Sequence, residues 1–577
     1  MLRRVSLSLA AVLTVSVTPT LLGAQATYPR HHTPRPTEAA ITPGDLMTRL
    51  YIFADDSMQG RDLGTLGHVK ATDYIAAEVK RMGLVPAGDD GTYFQAIPYD
   101  VRAFDTLSVI AVGSTRLALG SEWIPSGSES AKLSASAVYG GTLGDEQHMI
   151  SPSRAKGKLV VLSVGENPDF RAMRGARVPG AAALAIVTLG GNRGGGRGGR
   201  GGFSSFFLRP RGFLNDPNAP QPPGAQSQAL APTFQISAEA AAKMFSKPLD
   251  QLQVGASGKK VSIDVRYKVE PMPYPSRNVV AIIPGSDPRL KGEYVAIGAH
   301  SDHIGMTTRP VAEDSLRIFN EIVRPEGADD GRNQPTPEQQ QQVNAELAVY
   351  RSLHPGPVRM DSISNGADDD GSGSVSMLEI AEKIQSMNPK PKRSILFVWH
   401  AGEEKGLLGS RFFTDHPTVP RDSIVAQLNM DMVGRGDASD ETGRTKDGTA
   451  LHGGPGYVML VGSRRLSTEL GDLIERVNTE DNHNLVFDYA FDVEGHPSRI
   501  YCRSDHYEYA RYGIPITFFT TGLHADYHQV SDEPEYIDYA HMTQIDKLIE
   551  DVAVHVADLD HRLVVDHPKP DPFGVCR

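Results

Sequence analysis

Five short segments carry acids and imidazoles at spacings suited to holding metal ions. In Gly298-Ala299-His300-Ser301-Asp302, His300 and Asp302 stand two residues apart. An extended chain turns both to one side, and a carboxylate beside an imidazole can fix its tautomer. Three consecutive acids, Asp368, Asp369 and Asp370, fall between Gly366 and Gly373, just before an apolar helix pattern. They repel one another unless a cation or a helix N-terminus offsets them, and a carboxylate with two oxygens can bridge two ions. Glu403 and Glu404 follow the apolar run Phe397-Val398-Trp399. Adjacent residues at a strand end point apart, so one can bind metal while the other serves as a base. Asp431 sits between Met430 and Met432 at the end of another apolar run, where an acid needs a partner. His528 lies in Asp526-Tyr527-His528-Gln529-Val530-Ser531-Asp532. A look-alike, Gly327-Ala328-Asp329-Asp330-Gly331, has no strand before it and no apolar helix after it, and reads as loop. The order His, Asp, Glu-Glu, Asp, His offers oxygen and nitrogen without thiolate, which suits a catalytic pair of Zn2+ ions, with Mn2+ or Co2+ as substitutes. No His-Glu-x-x-His helix and no Gly-x-Ser-x-Gly turn is present, so single-zinc and serine hydrolases lack their signatures.

These groups need a rigid frame, and the chain after Pro275 supplies one. Apolar runs at Val279–Ile283, Tyr294–Ala299, Ile395–Trp399, Ile424–Leu428 and Ile516–Phe519 alternate with helical patterns such as Met377, Ile380, Ala381, Ile384 and Ile545, Leu548, Ile549, Val552. Such alternation predicts an α/β fold with a mixed, largely parallel central sheet covered by helices on both faces. In such sheets, sites gather beyond the carboxyl ends of the strands. Residues 42–114 read as the N-terminal part of this domain, opening with a helix at Thr42-Pro43. Residues 266–565 form its main part, interrupted by a polar insertion at 306–363 with helix expected over Glu338–Leu353. Between them, 115–265 reads as a separate small α/β domain with a Gly-rich loop at 190–225. Nine of the thirteen residues from Gly190 to Gly202 are Gly, a composition of flexible loops.

The composition excludes other classes. With 577 residues, 40% hydrophobic and 22% charged, the chain can bury large cores. A net charge of −12 argues against nucleic-acid binding. Two cysteines, Cys502 and Cys576, exclude a disulfide scaffold and any four-cysteine zinc site. Arg3-Arg4, the apolar run Val5–Leu22 and Ala24-Gln25-Ala26 read as a signal peptide over 1–26, followed by a linker at 27–41. No second run is long enough to span a membrane. The expected location is periplasmic or extracellular. An oxidising compartment permits a Cys502–Cys576 bridge tying down the tail 566–577; the residues leave two free thiols equally open.

The motifs GAHSDHIG, GADDDGSG, HAGEEKGLLGS, LNMDM and YHQVSDE, in this order, resemble the co-catalytic di-zinc exopeptidases of the bacterial leucyl aminopeptidase and glutamate carboxypeptidase type, peptidase family M twenty-eight. The middle segment is similar to a protease-associated domain inserted in that fold. The resemblance implies Asp369 as bridging ligand, His300 and Asp431 completing one metal, and Glu404 and His528 the other. It makes Glu403 the general base and Asp302 the group that orients His300. Tyr501, four residues before Asp505, resembles the tyrosine that polarises the scissile carbonyl in some members, and a core tyrosine is the other reading. The implied activity is hydrolysis of N-terminal residues from peptide substrates. A carboxypeptidase of the same fold, a one-metal glutaminyl cyclase-like acyltransferase and a non-catalytic receptor-like homologue remain as alternatives.

Overall fold

The computed structural model describes residues 28–127, 129–164, 177–189, 208–221, 231–324, 334–436, 444–449, 451, 453–573 and 576. The expected signal segment 1–26, the Gly-rich stretch 190–202 and the Gly327–Gly331 motif lie outside them. The chain forms two compact units, one of residues 1–96 and 277–577, the other Ile97–Ser276. Among the described residues, no helix is long and apolar enough to cross a membrane.

The first unit is built on a nine-stranded mixed sheet. Four neighbouring strands at its centre run parallel: Ser394–His400, Tyr294–His300, Ile424–Met430 and Ile516–Thr520. Antiparallel neighbours flank them, Ser276–Ile283 on one side and Tyr457–Val461 on the other. The central runs are mostly apolar and almost wholly buried because alternate residues feed two cores. Ile395, Phe397 and Trp399 join the core under the helices Pro43–Phe53, Gly373–Ser386 and Tyr539–Asp558. Leu396 and Val398 join the opposite core, which holds Phe413, Tyr509 and Phe518. The register pairs His300 with His400 and Met430 with Phe519. The carboxyl ends of the parallel strands therefore finish together, and the loops leaving them share one edge.

The insertion has more structure than its polarity suggests. Strands Met306–Ala312 and Met360–Ile363 pair antiparallel and bracket two helices, Glu313–Val323 and Pro337–Leu353. The second helix starts on a capping box in which Thr336 and Gln339 satisfy each other's backbone N–H groups, with Pro337 in the first turn.

The second unit holds an eight-stranded sheet and a three-stranded one. Its bounds are wider than the expected 115–265. Tyr99–Phe104 pairs with Tyr267–Pro271, and Val109–Val112 pairs with Ser257–Val265, so both early strands fold with the unit. Its core centres on Trp123, with Phe104 and Phe234 packed edge-on.

Candidate metal centre

The predicted acids and imidazoles sit at or beyond the carboxyl ends of the first unit's central strands, and local hydrogen bonds aim several of them. His300 ends its strand with Nδ1 3.0 Å from the main-chain carbonyl oxygen of Asp302. Nδ1–H donates there, so Nε2 faces inward with its lone pair. The Asp302 carboxylate faces the same ring nitrogen, its nearest oxygen 3.7 Å from Nδ1, an ion-pair distance longer than a hydrogen bond. Oδ1 of Asp302 accepts the N–H groups of Gly402 at 2.7 Å and Glu403 at 3.1 Å. It fixes the turn that presents the two glutamates.

The three consecutive aspartates divide the work. Asp368 Oδ1 accepts the Gly434 N–H at 2.7 Å, and its other oxygen lies 3.2 Å from His524 Nε2. Asp370 ties strands together: Oδ2 accepts from His300 N, and Oδ1 from Gly373 N and Met432 N. Only Asp369 turns its carboxylate to the centre, while its own N–H and that of Asp368 are held by Asp532. Asp370 comes within ligand distance of His300 and Asp431, but its oxygens are already occupied by backbone donors.

Asp369 stands between two groups of side chains. Its Oδ1 lies 3.2 Å from His300 Nε2, which is 3.7 Å from Asp431 Oδ1. Its Oδ2 lies 3.1 Å from His528 Nε2, which is 2.9 Å from Glu404 Oε2. His303, fully buried, brings Nδ1 to 2.9 Å from Glu404 Oε1 and 3.7 Å from Asp369 Oδ2. His300 Nε2, His528 Nε2, His303 Nδ1, Asp369 Oδ2 and Glu404 Oε1 are buried without a hydrogen-bond partner. Lone pairs converging in a dry place are what a cation would satisfy, and a nitrogen and oxygen set fits zinc. The residues present therefore fit two metal ions sharing Asp369. Ser504 Oγ donates to Asp431 Oδ2 at 2.7 Å and is itself held by Asn429.

Glu403 faces the same space from the side, with Oε2 4.0 Å from His300 Nε2. Burial holds its carboxyl well above the usual carboxylate range; His300 opposes this, while Asp431, Glu404 and Asp505 reinforce it. Glu404 goes the other way: burial raises it and Asp369 adds to that, but the imidazoles of His303 and His528 beside it bring it below its ordinary value. Two adjacent glutamates thus sit in opposite electrostatic environments.

A pocket opens beside Asp369, Glu403 and Asp431, with an apolar wall of Met432, Phe491, Ile500, Phe518 and Leu523 and a polar rim of Arg503 and Tyr527. Tyr501 is not among its lining residues. The Ile500–Cys502 turn directs Ile500 to the pocket and Tyr501 into the core, 4% exposed, with the Arg465 guanidinium 4.1 Å from its ring centre. The core reading of Tyr501 fits this placement. The tyrosine the fold does bring to the centre is Tyr527, its ring stacked on His528 with centroids 3.9 Å apart.

Sequence reasoning missed His303, whose signal was its place three residues after His300, and Arg61. Arg61 is fully buried and donates to the carbonyls of Ser301, Asn365 and Gly366, joining the loop after His300 to the loop before Asp369. Gly60 lets this clamp form: its φ is +66°, and a Cβ there would collide with the carbonyl oxygens of Gly305 and Ser364. Two other clusters of metal-capable side chains are already paired, His483 with Asp551 at 2.8 Å, and Asp361 and Glu533 with Arg359 at 3.0 and 2.8 Å.

Residues 344–553 match the family model for peptidase family M28. The matched span includes Asp369, Glu403, Glu404, Asp431 and His528; His300 precedes it, and its place in the centre rests on geometry. Among curated proteins, the chain is 36% identical over 78 residues to leupeptin-inactivating enzyme 1 of Streptomyces exfoliatus, covering 13% of this chain and 18% of that one. It is 28% identical over 199 residues to leucine aminopeptidase 1 of Trichophyton rubrum, covering 32% and 46%. The chain thus spans less than half the length of these curated relatives. Among solved structures, the aminopeptidase from Aneurinibacillus sp. strain AM-1 aligns over 92% of this chain and 97% of its own at 16% identity, with a TM-score of 0.43. The zinc aminopeptidase from Bacillus subtilis aligns over 90% and 96% at 17% identity, with a TM-score of 0.42. Similarity at that level does not bear on function.

Proposed function

We propose that the protein is an exported, metal-dependent exopeptidase that removes N-terminal residues from peptides, with two Zn2+ ions as its cofactors. The observation that carries this reading is the Asp369 carboxylate, shared between His300 with Asp431 on one side and His528 with Glu404 on the other. Ions bound there would supply Lewis acidity toward the scissile carbonyl and toward a water molecule. Glu403 then takes the water's proton and returns it to the leaving amine. Asp302 holds the Glu403 turn in place through two N–H groups. The apolar wall beside the carboxylates suits a bulky apolar side chain on the residue removed. Aminopeptidase rather than carboxypeptidase action follows the names of the relatives, and the pocket's acids suit a free α-amino group. The second unit is proposed as the protease-associated-like insertion. A periplasmic or extracellular location accords with the Cys502–Cys576 bridge.

The test is a panel of aminoacyl-nitroanilides, their N-acetylated forms, and peptides blocked at either end, assayed before and after chelation and after zinc return. Leucyl, methionyl and phenylalanyl compounds with free amines should react, N-acetylated ones should not, and chelation should abolish turnover reversibly. Turnover of N-blocked peptides from the carboxyl end, cyclisation of N-terminal glutamine, or activity that survives chelation would overturn the reading.

A further inference from the structure

The described residues of the insertion 306–363 carry a small apolar cluster of their own. The insertion's helices share this cluster of Ile318, Val323 and Val343, separate from the two cores that cover the sheet. Much of what the helix Glu313–Val323 offers the rest of the unit is polar, and it is aimed at the segment carrying His528. Arg317 Nη1 lies 2.9 Å from Asp526 Oδ2, and Asn320 Nδ2 donates to the Ala525 carbonyl at 3.1 Å. The Arg317 guanidinium covers the Tyr536 ring at 3.7 Å, and the Tyr536 hydroxyl donates back to Glu313 at 3.0 Å. Asp526 Oδ2 also meets Arg435 Nη2 at 3.0 Å, while Oδ1 accepts from Ser531 Oγ at 2.7 Å. Asp526 lies two residues before His528, and Arg435 four residues after Asp431. One buried carboxylate thus gathers the insertion and both ligand-bearing segments.

His528 has need of such support. Its backbone takes φ +57°, a conformation a non-Gly residue holds only when its surroundings fix it. Its side chain is 34% exposed, against 11% or less for the four other ligand residues. We infer that the insertion is a brace for the His528 loop, with Arg317 as a positioning residue acting through Asp526. Residues behind a metal ligand set its aim, and their loss typically weakens metal binding by roughly 10–100-fold. This inference rests on the two-metal reading above.

The test strips metal from the full chain and titrates Zn2+ back against a chromophoric chelator. Wild type is compared with Arg317→Ala, Arg317→Lys, Asn320→Ala and Glu404→Gln, and each apoprotein's thermal midpoint is recorded. Wild type should take two ions. Arg317→Ala should keep one at wild-type affinity and bind the other roughly 10–100-fold more weakly. The weakened ion should be the one Glu404→Gln loses, with apoprotein midpoints close to wild type. Arg317→Lys should recover part of the affinity, and Asn320→Ala should show a smaller deficit at the same ion. If Arg317→Ala does not fold, the lysine and Asn320→Ala variants carry the same comparison. Unchanged affinities for both ions, or equal weakening of both, overturn the brace alone. A wild-type chain that takes fewer than two ions overturns the two-metal reading and the brace with it.

Discussion

Glu403 and Glu404 differ by one position, and their surroundings separate them. Glu404 meets two imidazoles, while Glu403 is held among carboxylates with only His300 opposing. Glu403→Gln should therefore keep both metals and lose roughly 10²–10⁴-fold in kcat, the usual effect of a missing general base. Glu404→Gln should lose a metal, because an amide is a poorer ligand than a carboxylate. Metal stoichiometry measured beside turnover decides it; the reverse pattern would exchange the two roles. His303 belongs to the Glu404 side, so His303→Ala should weaken one ion by roughly 10–100-fold and leave the other unchanged, read by the same zinc competition. Of the five residues proposed as ligands, His300, Asp369, Glu404 and Asp431 are conspicuous in sequence because each ends or follows an apolar strand or precedes a helix, whereas His528, in a loop eight residues past Thr520, stands out only through the family motif. Tyr501 was ambiguous for a physical reason. In a three-residue turn, neighbouring side chains face opposite ways, and spacing alone cannot say which one meets the pocket.

At the level of elements, the central strands were legible because burial on both faces makes most positions apolar. The stretch from Leu428 to Ile516 was not. Tyr457–Val461 is a strand antiparallel to Ile516–Thr520, and Thr468–Glu480 is a helix capped by Ser467, yet polar loops on either side dilute both patterns. The insertion was read as polar chain with one helix because its apolar cluster is only three buried residues deep. The helix that reading leaves out is the first, Glu313–Val323, which starts without a side-chain N-cap and so lacks the usual sequence signal of a helix start. The cysteines form a bridge, Cys502–Cys576, with Cα atoms 6.0 Å apart, which the residues alone left open. Cys502 lies directly before Arg503 and Ser504, and Ser504 holds Asp431, a proposed ligand. Closing a loop of 74 residues removes unfolded-chain entropy worth about 4 kcal/mol. Reductant should lower the thermal midpoint of wild type by several degrees and leave Cys576→Ser unmoved. Equal midpoints for wild type with and without reductant would show that the bridge contributes nothing to stability.

For the whole molecule, buried acids set how stability depends on pH. Burial pushes Glu379 and Glu550 up to about 7, and Asp546, facing Ser376 and Glu379, well above the carboxylate range. The folded chain holds protons on these groups that the unfolded chain releases from about pH 4. Their contribution is complete below that pH and is lost as the pH climbs through 7 and beyond. Asp526 acts in the opposite sense. Burial would raise it, but Arg317 and Arg435 draw it down to about 2, so its contribution exists above pH 4 and is lost as the pH falls through 2. Thermal midpoints of Asp546→Asn should fall less between pH 5 and 9 than those of wild type; parallel curves would exclude Asp546 as a source. The second unit permits a larger cut. Its first and last strands are antiparallel neighbours, Asp100 opposite Pro271 and Phe104 opposite Tyr267. Within the nine-stranded sheet, Phe94–Ile97 pairs with Ser276–Ile283. The chain therefore leaves and re-enters the first unit at adjacent points, and a few flexible residues can close the gap at little entropic cost. All five residues proposed as ligands and both sheet-covering cores lie outside 97–276. Replacing 97–276 by a short Gly/Ser linker should leave a chain that folds and takes up two zinc ions with wild-type affinity, while 97–276 alone should melt in a single cooperative transition. A shortened chain that folds but loses zinc would mean that the second unit takes part in building the metal centre.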